Sequence, residues 1–119
     1  MKVERFEDII AWQKAKLLTV NIYQVFSESK DFGFRDQILR ASVSVMNNIA
    51  EGFERQTNNE FIQFLFIAKG SCGEVRSLLH LAFALNKISE NTFKEMYNNC
   101  EEISKMLSGF IKSLKFKSS

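Results

Sequence analysis

Hydrophobic residues recur along this chain with helical spacing. Trp12, Ala15, Leu18, Ile22 and Phe26 return at intervals of three and four, which places them on one buried face. With Asp8 as N-cap, the pattern predicts a first helix over residues 8–27. A polar link from Ser27 to Gly33 precedes a second helix over residues 34–53. In that helix Ile38, Ala41, Val45 and Ile49 form one apolar row, and Leu39, Val43, Met46, Ala50 and Phe53 form another. Together the rows cover an arc of roughly 200° on a helical wheel. Thr57 followed by Glu60 is a capping box, so a third helix is predicted over residues 58–86. Its main stripe is Phe61, Phe64, Leu65, Ala68, Cys72, Val75, Leu79 and Ala82. Ile62 and Phe66 lie off that stripe, and Leu81 and Leu85 widen its other flank. After a link capped by Ser89, a fourth helix over residues 90–116 carries Phe93, Met96, Tyr97, Cys100, Ile103, Leu107, Phe110, Ile111 and Leu114. Short links make neighbouring helices antiparallel. The prediction is an all-α, antiparallel up-and-down four-helix bundle forming one domain over residues 1–119.

Two features of the pattern go beyond a plain bundle. Gly70 and Gly73 fall inside the third helix, where glycine costs about 1 kcal/mol against alanine. The stripe keeps its phase across them, which favours close approach of another backbone over a break. Helices two and three also carry more apolar surface than one stripe. A bundle leaves every helix a solvent face, so the excess predicts self-association through helices two and three. The alternative is cover by loops or helices of the same chain.

Composition changes this picture little. Proline is absent, which agrees with long helices and short links, and twelve phenylalanines supply bulky packing groups. The formal net charge of +2 is too small to argue for nucleic acid by itself. The charge is unevenly placed: after Glu102 come only Lys105, Lys112, Lys115 and Lys117. Lysines at a helix C-terminus complement the helix dipole, a reading favoured over an RNA- or membrane-binding tail. Cys72 and Cys100 sit on apolar faces, as buried thiols or, if their helices adjoin, as a disulfide. The charged start from Met1 to Asp8 has no signal-peptide core, and no apolar run reaches membrane-spanning length, so the expectation is a cytoplasmic protein without a membrane partner.

Catalytic and cofactor chemistry finds little support in the sequence. Di-iron bundles need Glu-x-x-His pairs, and Ser77 occupies the position three before the only histidine, His80. No haem attachment motif, zinc ligand spacing or phosphate-binding glycine loop is present, so neither cofactor nor metal is expected. Arg76 and His80, four apart, share a helix face in the manner of some helical ribonucleases, and a surface charge pair explains them as well. On helix two, Gln37, Arg40, Ser44, Asn48 and Glu51 form a polar ladder that Glu74 of helix three could face. A network fixing helix register, with Arg40 offsetting Glu51 or Glu74, is favoured over a binding groove. Nothing pairs a nucleophile with a base, so no catalytic residues are assigned.

Several segments together resemble a known family. Phe6-Glu7-Asp8-Ile9-Ile10-Ala11-Trp12-Gln13-Lys14-Ala15 resembles its usual start. Gln37 to Val45 and Asn48-Ile49-Ala50-Glu51-Gly52 are similar to its second-helix signature, and Ala68-Lys69-Gly70-Ser71-Cys72-Gly73-Glu74 to its third. The family is the four-helix bundle proteins named for intervening sequences of 23S ribosomal RNA. The resemblance implies up-and-down bundles assembled as five-fold rings, with no defining catalytic activity. A related group of accessory proteins binds a reverse transcriptase and RNA through basic rings. The expected function is thus a non-enzymatic oligomeric scaffold, a pentamer binding RNA or an RNA-binding protein. The alternatives are an adaptor for a reverse transcriptase-like partner and a helical-bundle ribonuclease. The exposed bases Lys14, Lys16, Arg35, Arg55, Lys112, Lys115 and Lys117 are the expected nucleic-acid contacts.

Overall fold

A computed structural model describes residues 3–118; Met1 and Lys2, part of the charged start, lie outside the described residues. The chain forms a short 3-10 turn, Phe6–Asp8, and four helices: α1 (Ile10–Phe26), α2 (Phe32–Phe53), α3 (Asn58–Ala84) and α4 (Glu90–Ser118). Each helix packs against its neighbours in sequence, α4 returns to touch α1, and the backbones of the diagonal pairs α1–α3 and α2–α4 stay apart. That is an up-and-down bundle, 47 × 21 × 20 Å in extent.

The helix ends explain where the sequence boundaries move. Asp8 does not cap α1: Phe6 packs edge-to-face on Trp12 at 5.2 Å, Ile9 is buried and extended, and α1 begins after it. The Gln13 side chain holds the turn by donating to the Glu7 carbonyl at 2.9 Å. Helix α2 starts two residues earlier than its pattern suggests, because Asp31 accepts from the Phe34 N–H at 3.3 Å. The Lys87 ammonium reaches the same Asp31 carboxylate at 3.1 Å and ties the α1–α2 link to the α3–α4 link. Thr57 caps α3 as expected, accepting from the Glu60 N–H at 3.1 Å. Helix α3 stops at Ala84, before residue 86, because Asn86 turns left-handed with φ of 59°. Lys87 N–H then bonds to the Ala82 carbonyl and Asn86 N–H to that of Phe83, a Schellman closure. Ser89 caps α4 by accepting from Thr92 N–H at 3.1 Å.

The core follows the predicted stripes. Leu18, Ile22 and Phe26 of α1, Ile38, Val45 and Ile49 of α2, Leu65, Val75 and Leu79 of α3, and Ile103 and Leu107 of α4 are fully enclosed. Ile62 joins them, despite lying off the main stripe of α3, while Trp12 is only half-buried. Cys72 and Cys100 are adjacent free thiols: Cys72 Sγ donates to the Cys100 carbonyl at 3.1 Å. That neighbour and burial push the Cys100 thiol above the usual range.

Two expectations about surfaces are corrected. The second apolar row of α2 is half-buried, with Leu39, Met46 and Phe53 packed against the core, so α2 offers less free apolar surface than its pattern suggests, although Phe32 at its start is 59% exposed. Most of the excess lies on α3 (Phe66, Ile67, Leu81, Phe83) and its C-cap Leu85, and on α1 (Ile10, Leu17, Val20, Tyr23, Val25), with Leu17 60% exposed. Nor do Gly70 and Gly73 receive another helix of this chain: a Cβ at either would meet nothing within 4 Å. The close approach is at Gly52, where a Cβ would stand 2.6 Å from Phe64 Cβ and 2.9 Å from Phe61 Cδ1.

Candidate nucleic-acid interface

The polar ladder of α2 assembles differently from its sequence reading. Asn48 donates through Nδ2 to the Ser44 carbonyl at 2.8 Å and to Ser44 Oγ at 2.9 Å. Ser44 Oγ in turn bonds to Ser71 Oγ of α3 at 2.8 Å. The inter-helix network is therefore Asn48–Ser44–Ser71. Glu51 pairs with Arg55 at 3.0 Å, not with Arg40. Gln37, Arg40 and Glu74 stand exposed, and no hydrogen bond or ion pair joins them to the ladder. Ser71, a small residue beside the mid-helix glycines, was legible only as part of a motif. Its partner is set by the register of two helices.

The expected basic contacts are scattered over the molecule. Lys14 pairs with Glu102 at 3.3 Å. Lys16 lies over Trp12, Arg35 over Phe32 and Arg55 over Phe64. Arg35 is further bonded to Asp36 at 3.0 Å. On α4 the picture differs. Lys112 and Lys115 meet Lys69 and Phe66 of α3 around a groove of about 250 Å³, floored by Ile111 and edged by Ser108. Lys115 Nζ lies 5.2 Å from the centre of the Phe66 ring, which is 43% exposed. Lys105 is placed two turns before Lys112 on the same side of α4, also exposed. Lys69 and Phe66 were missed in the sequence reading: they are one turn apart on α3 but become a site only when α4 lies antiparallel beside them. Lys117 points elsewhere, to a second groove at the end of the bundle.

Further along the same α3–α4 seam lies a cluster of rings. His80 packs against Phe93 at 5.0 Å and Tyr97 at 5.3 Å, and Phe83 stacks on Phe93 at 5.2 Å. The Arg76 guanidinium lies over the Tyr97 ring and donates to its hydroxyl at 3.2 Å. That bond holds Arg76 still further above its usual range, and its Nε is buried without a partner. Arg76 and His80 are thus both turned onto the aromatic groups of α4 and do not bond to each other. Among the described residues no group of three or more His, Cys, Asp or Glu is placed to hold a metal ion. Among the described residues no helix is long and apolar enough to cross a membrane.

What the seam can do chemically follows from its parts. Three ammonium groups around an exposed ring favour phosphate oxygens, with the ring and the His80–Phe93–Tyr97 cluster as flat surfaces for stacking.

The fold and this seam can be set beside known proteins. No curated relative matches the chain. Among solved structures, a protein of unknown function from the S23 ribosomal protein family of Bacteroides thetaiotaomicron is similar, at 29% identity and a TM-score of 0.82. The likeness covers 87% of this chain and 99% of that one. The family described as 23S rRNA-intervening sequence protein matches residues 7–109, from the 3-10 turn to the last third of α4. Sequence and fold agree over almost the whole bundle, and this chain belongs to the 23S rRNA-intervening sequence protein family.

Proposed function

We propose that the protein is a non-enzymatic oligomeric scaffold that binds structured RNA through the α3–α4 seam. One observation carries the reading: Lys69, Lys112 and Lys115 converge on a single groove around Phe66 and form no ion pair among the described residues, whereas Lys14, Arg35 and Arg55 each pair with an acid. Phosphates neutralise such a lysine cluster and release counterions, and an exposed ring accepts a base face. The family name supports RNA as the partner. The setting is the cytoplasm, where both thiols stay reduced.

Self-association belongs to the same proposal. The apolar stripe of α1, with Ile10, Leu17 and Val20, and that of α3, with Ile67, Leu81 and Leu85, are both exposed. Helices α1 and α3 are a diagonal pair, so their outer faces point in opposite directions. A contact of α1 in one copy with α3 in the next is heterologous and closes into a ring if the rotation allows. Gly70, open on the outer side of α3, leaves room for the neighbour's backbone. Five copies is the number the family resemblance implies. Light scattering at micromolar concentration tests the ring, and a monomer there refutes it. A gel shift with structured RNA at low salt tests the binding; no shift at any protein concentration below aggregation refutes it.

A further inference from the structure

The end of the bundle holds a second and larger groove, independent of the lysine seam. It measures about 750 Å³, within the usual range for a small-molecule site. It exists because α1 begins late, at Ile10, while α4 runs on to Ser118, and the 3-10 turn only partly fills the gap. Its apolar lining includes Ile9, Phe53, Phe61, Met106, Phe110 and Leu114. Three of the rings form an edge-to-face chain: Phe53 to Phe61 at 6.0 Å and Phe61 to Phe110 at 5.1 Å. Phe53, Met106 and Phe110 are only half-buried, so the groove is apolar surface that the bundle itself does not cover.

The lining also contains Gly109, inside α4. Glycine is a poor helix residue, and a Cβ at Gly109 would meet nothing within 4 Å, so no packing within the chain calls for it. Its effect is to keep one wall of the groove low. Among the described residues the rim carries two cations, Arg55 and Lys117, against one acid, Asp8. Arg55 uses one guanidinium nitrogen on Glu51, at 3.0 Å, and its guanidinium lies over the Phe64 ring; its remaining N–H groups make no hydrogen bond among the described residues. Lys117 is exposed and forms no ion pair within the described residues.

We infer that this groove binds a small anionic amphipath, a molecule with an acyl or aromatic body and a carboxylate head. The body lies along Phe53, Phe61, Met106 and Phe110, and the head meets Arg55 and Lys117.

Dodecanoate, below the concentration at which it forms micelles, is the probe. Isothermal titration calorimetry on the full chain is expected to give saturable binding of one molecule per chain. Gly109→Trp and Ser113→Trp each place an indole along the groove wall, and each is expected to weaken binding at least about tenfold with the helical circular dichroism unchanged. The double variant Arg55→Gln/Lys117→Gln is expected to weaken dodecanoate about tenfold while leaving dodecanol unaffected. RNA affinity stays the same in Ser113→Trp, which lines this groove and not the lysine groove. No saturable binding overturns the inference, as does undiminished binding in both tryptophan variants. Dodecyltrimethylammonium binding as tightly as dodecanoate overturns the assignment of an anionic head.

Discussion

Helix α3 has two flanks, and they are built from different side chains. Toward α2 each close contact involves at least one small or short residue. Gly52 lies under Phe61 and Phe64, and Ser71 bonds to Ser44, which also accepts from Asn48. Toward α4 the residues at the seam are long, charged or aromatic: Phe66, Lys69, Arg76 and His80 face Lys115, Lys112, Tyr97 and Phe93. Short groups let two backbones close on each other and leave no room for a ligand. Long groups hold their ends in solvent even where their stems pack. The same helix therefore fixes the fold on one side and offers chemistry on the other.

Substitutions should separate the two flanks. The largest effect is expected at Gly52. A valine there drives its Cβ into Phe64 and Phe61, and overpacking of this kind costs roughly 3 kcal/mol, read as a lowered midpoint in urea denaturation. Gly70→Ala is the converse: its Cβ meets nothing, and the helix gains about 1 kcal/mol. If Gly52→Val is neutral, the α2 seam is not close-packed. If Gly70→Ala destabilises the assembled protein while stabilising the dissociated chain, a neighbouring copy uses the space. Ser44→Ala removes the partner of Ser71 and one acceptor of Asn48, for a loss of about 1 kcal/mol by thermal or urea melting.

Smaller effects are expected away from α3. The Lys87 ammonium and the Phe34 N–H hold the Asp31 carboxyl below its ordinary value of 3.8. A folded value lower than the unfolded one means that the contribution is fully present above the unfolded value and is lost as pH falls through the folded one. Asp31→Asn should therefore narrow the stability gap to the parent protein as pH drops below about 4, seen in melts across an acid series. The thiols give a qualitative check. Cys72 and Cys100 are buried, so a thiol reagent should label neither in the folded protein and both in denaturant.

The fold was largely open to sequence reading because each helix carries its own signal. The spacing of Leu18, Ile22 and Phe26, the Thr57–Glu60 cap and the Ser89 cap are all local, and all are present in the structure. The start of α1 was misread for an equally local reason. Asp8 is a good capping residue, but burial of Ile9 and the contact of Phe6 with Trp12 decide the entry of the chain. The site was much less legible. Lys112 and Lys115 stood out as part of a basic run, whereas Lys69 and Phe66 gain meaning only from the antiparallel register of α3 and α4. Arg40 and Glu74 illustrate the opposite error, since matching charges on facing helices do not pair unless the rotation of each helix brings them together.

The claim that the α4 flank is the working surface is tested most directly by reversing its charge. Fluorescence anisotropy with a structured RNA, over a series of salt concentrations, should compare the parent protein with Lys69→Glu/Lys112→Glu/Lys115→Glu. The parent should lose affinity as salt rises, with a log–log slope near one unit per phosphate contact. The triple variant should bind at least about tenfold more weakly and with a shallower slope, its helical content and oligomer size unchanged. Equal affinity and equal slope in the two proteins would contradict the account.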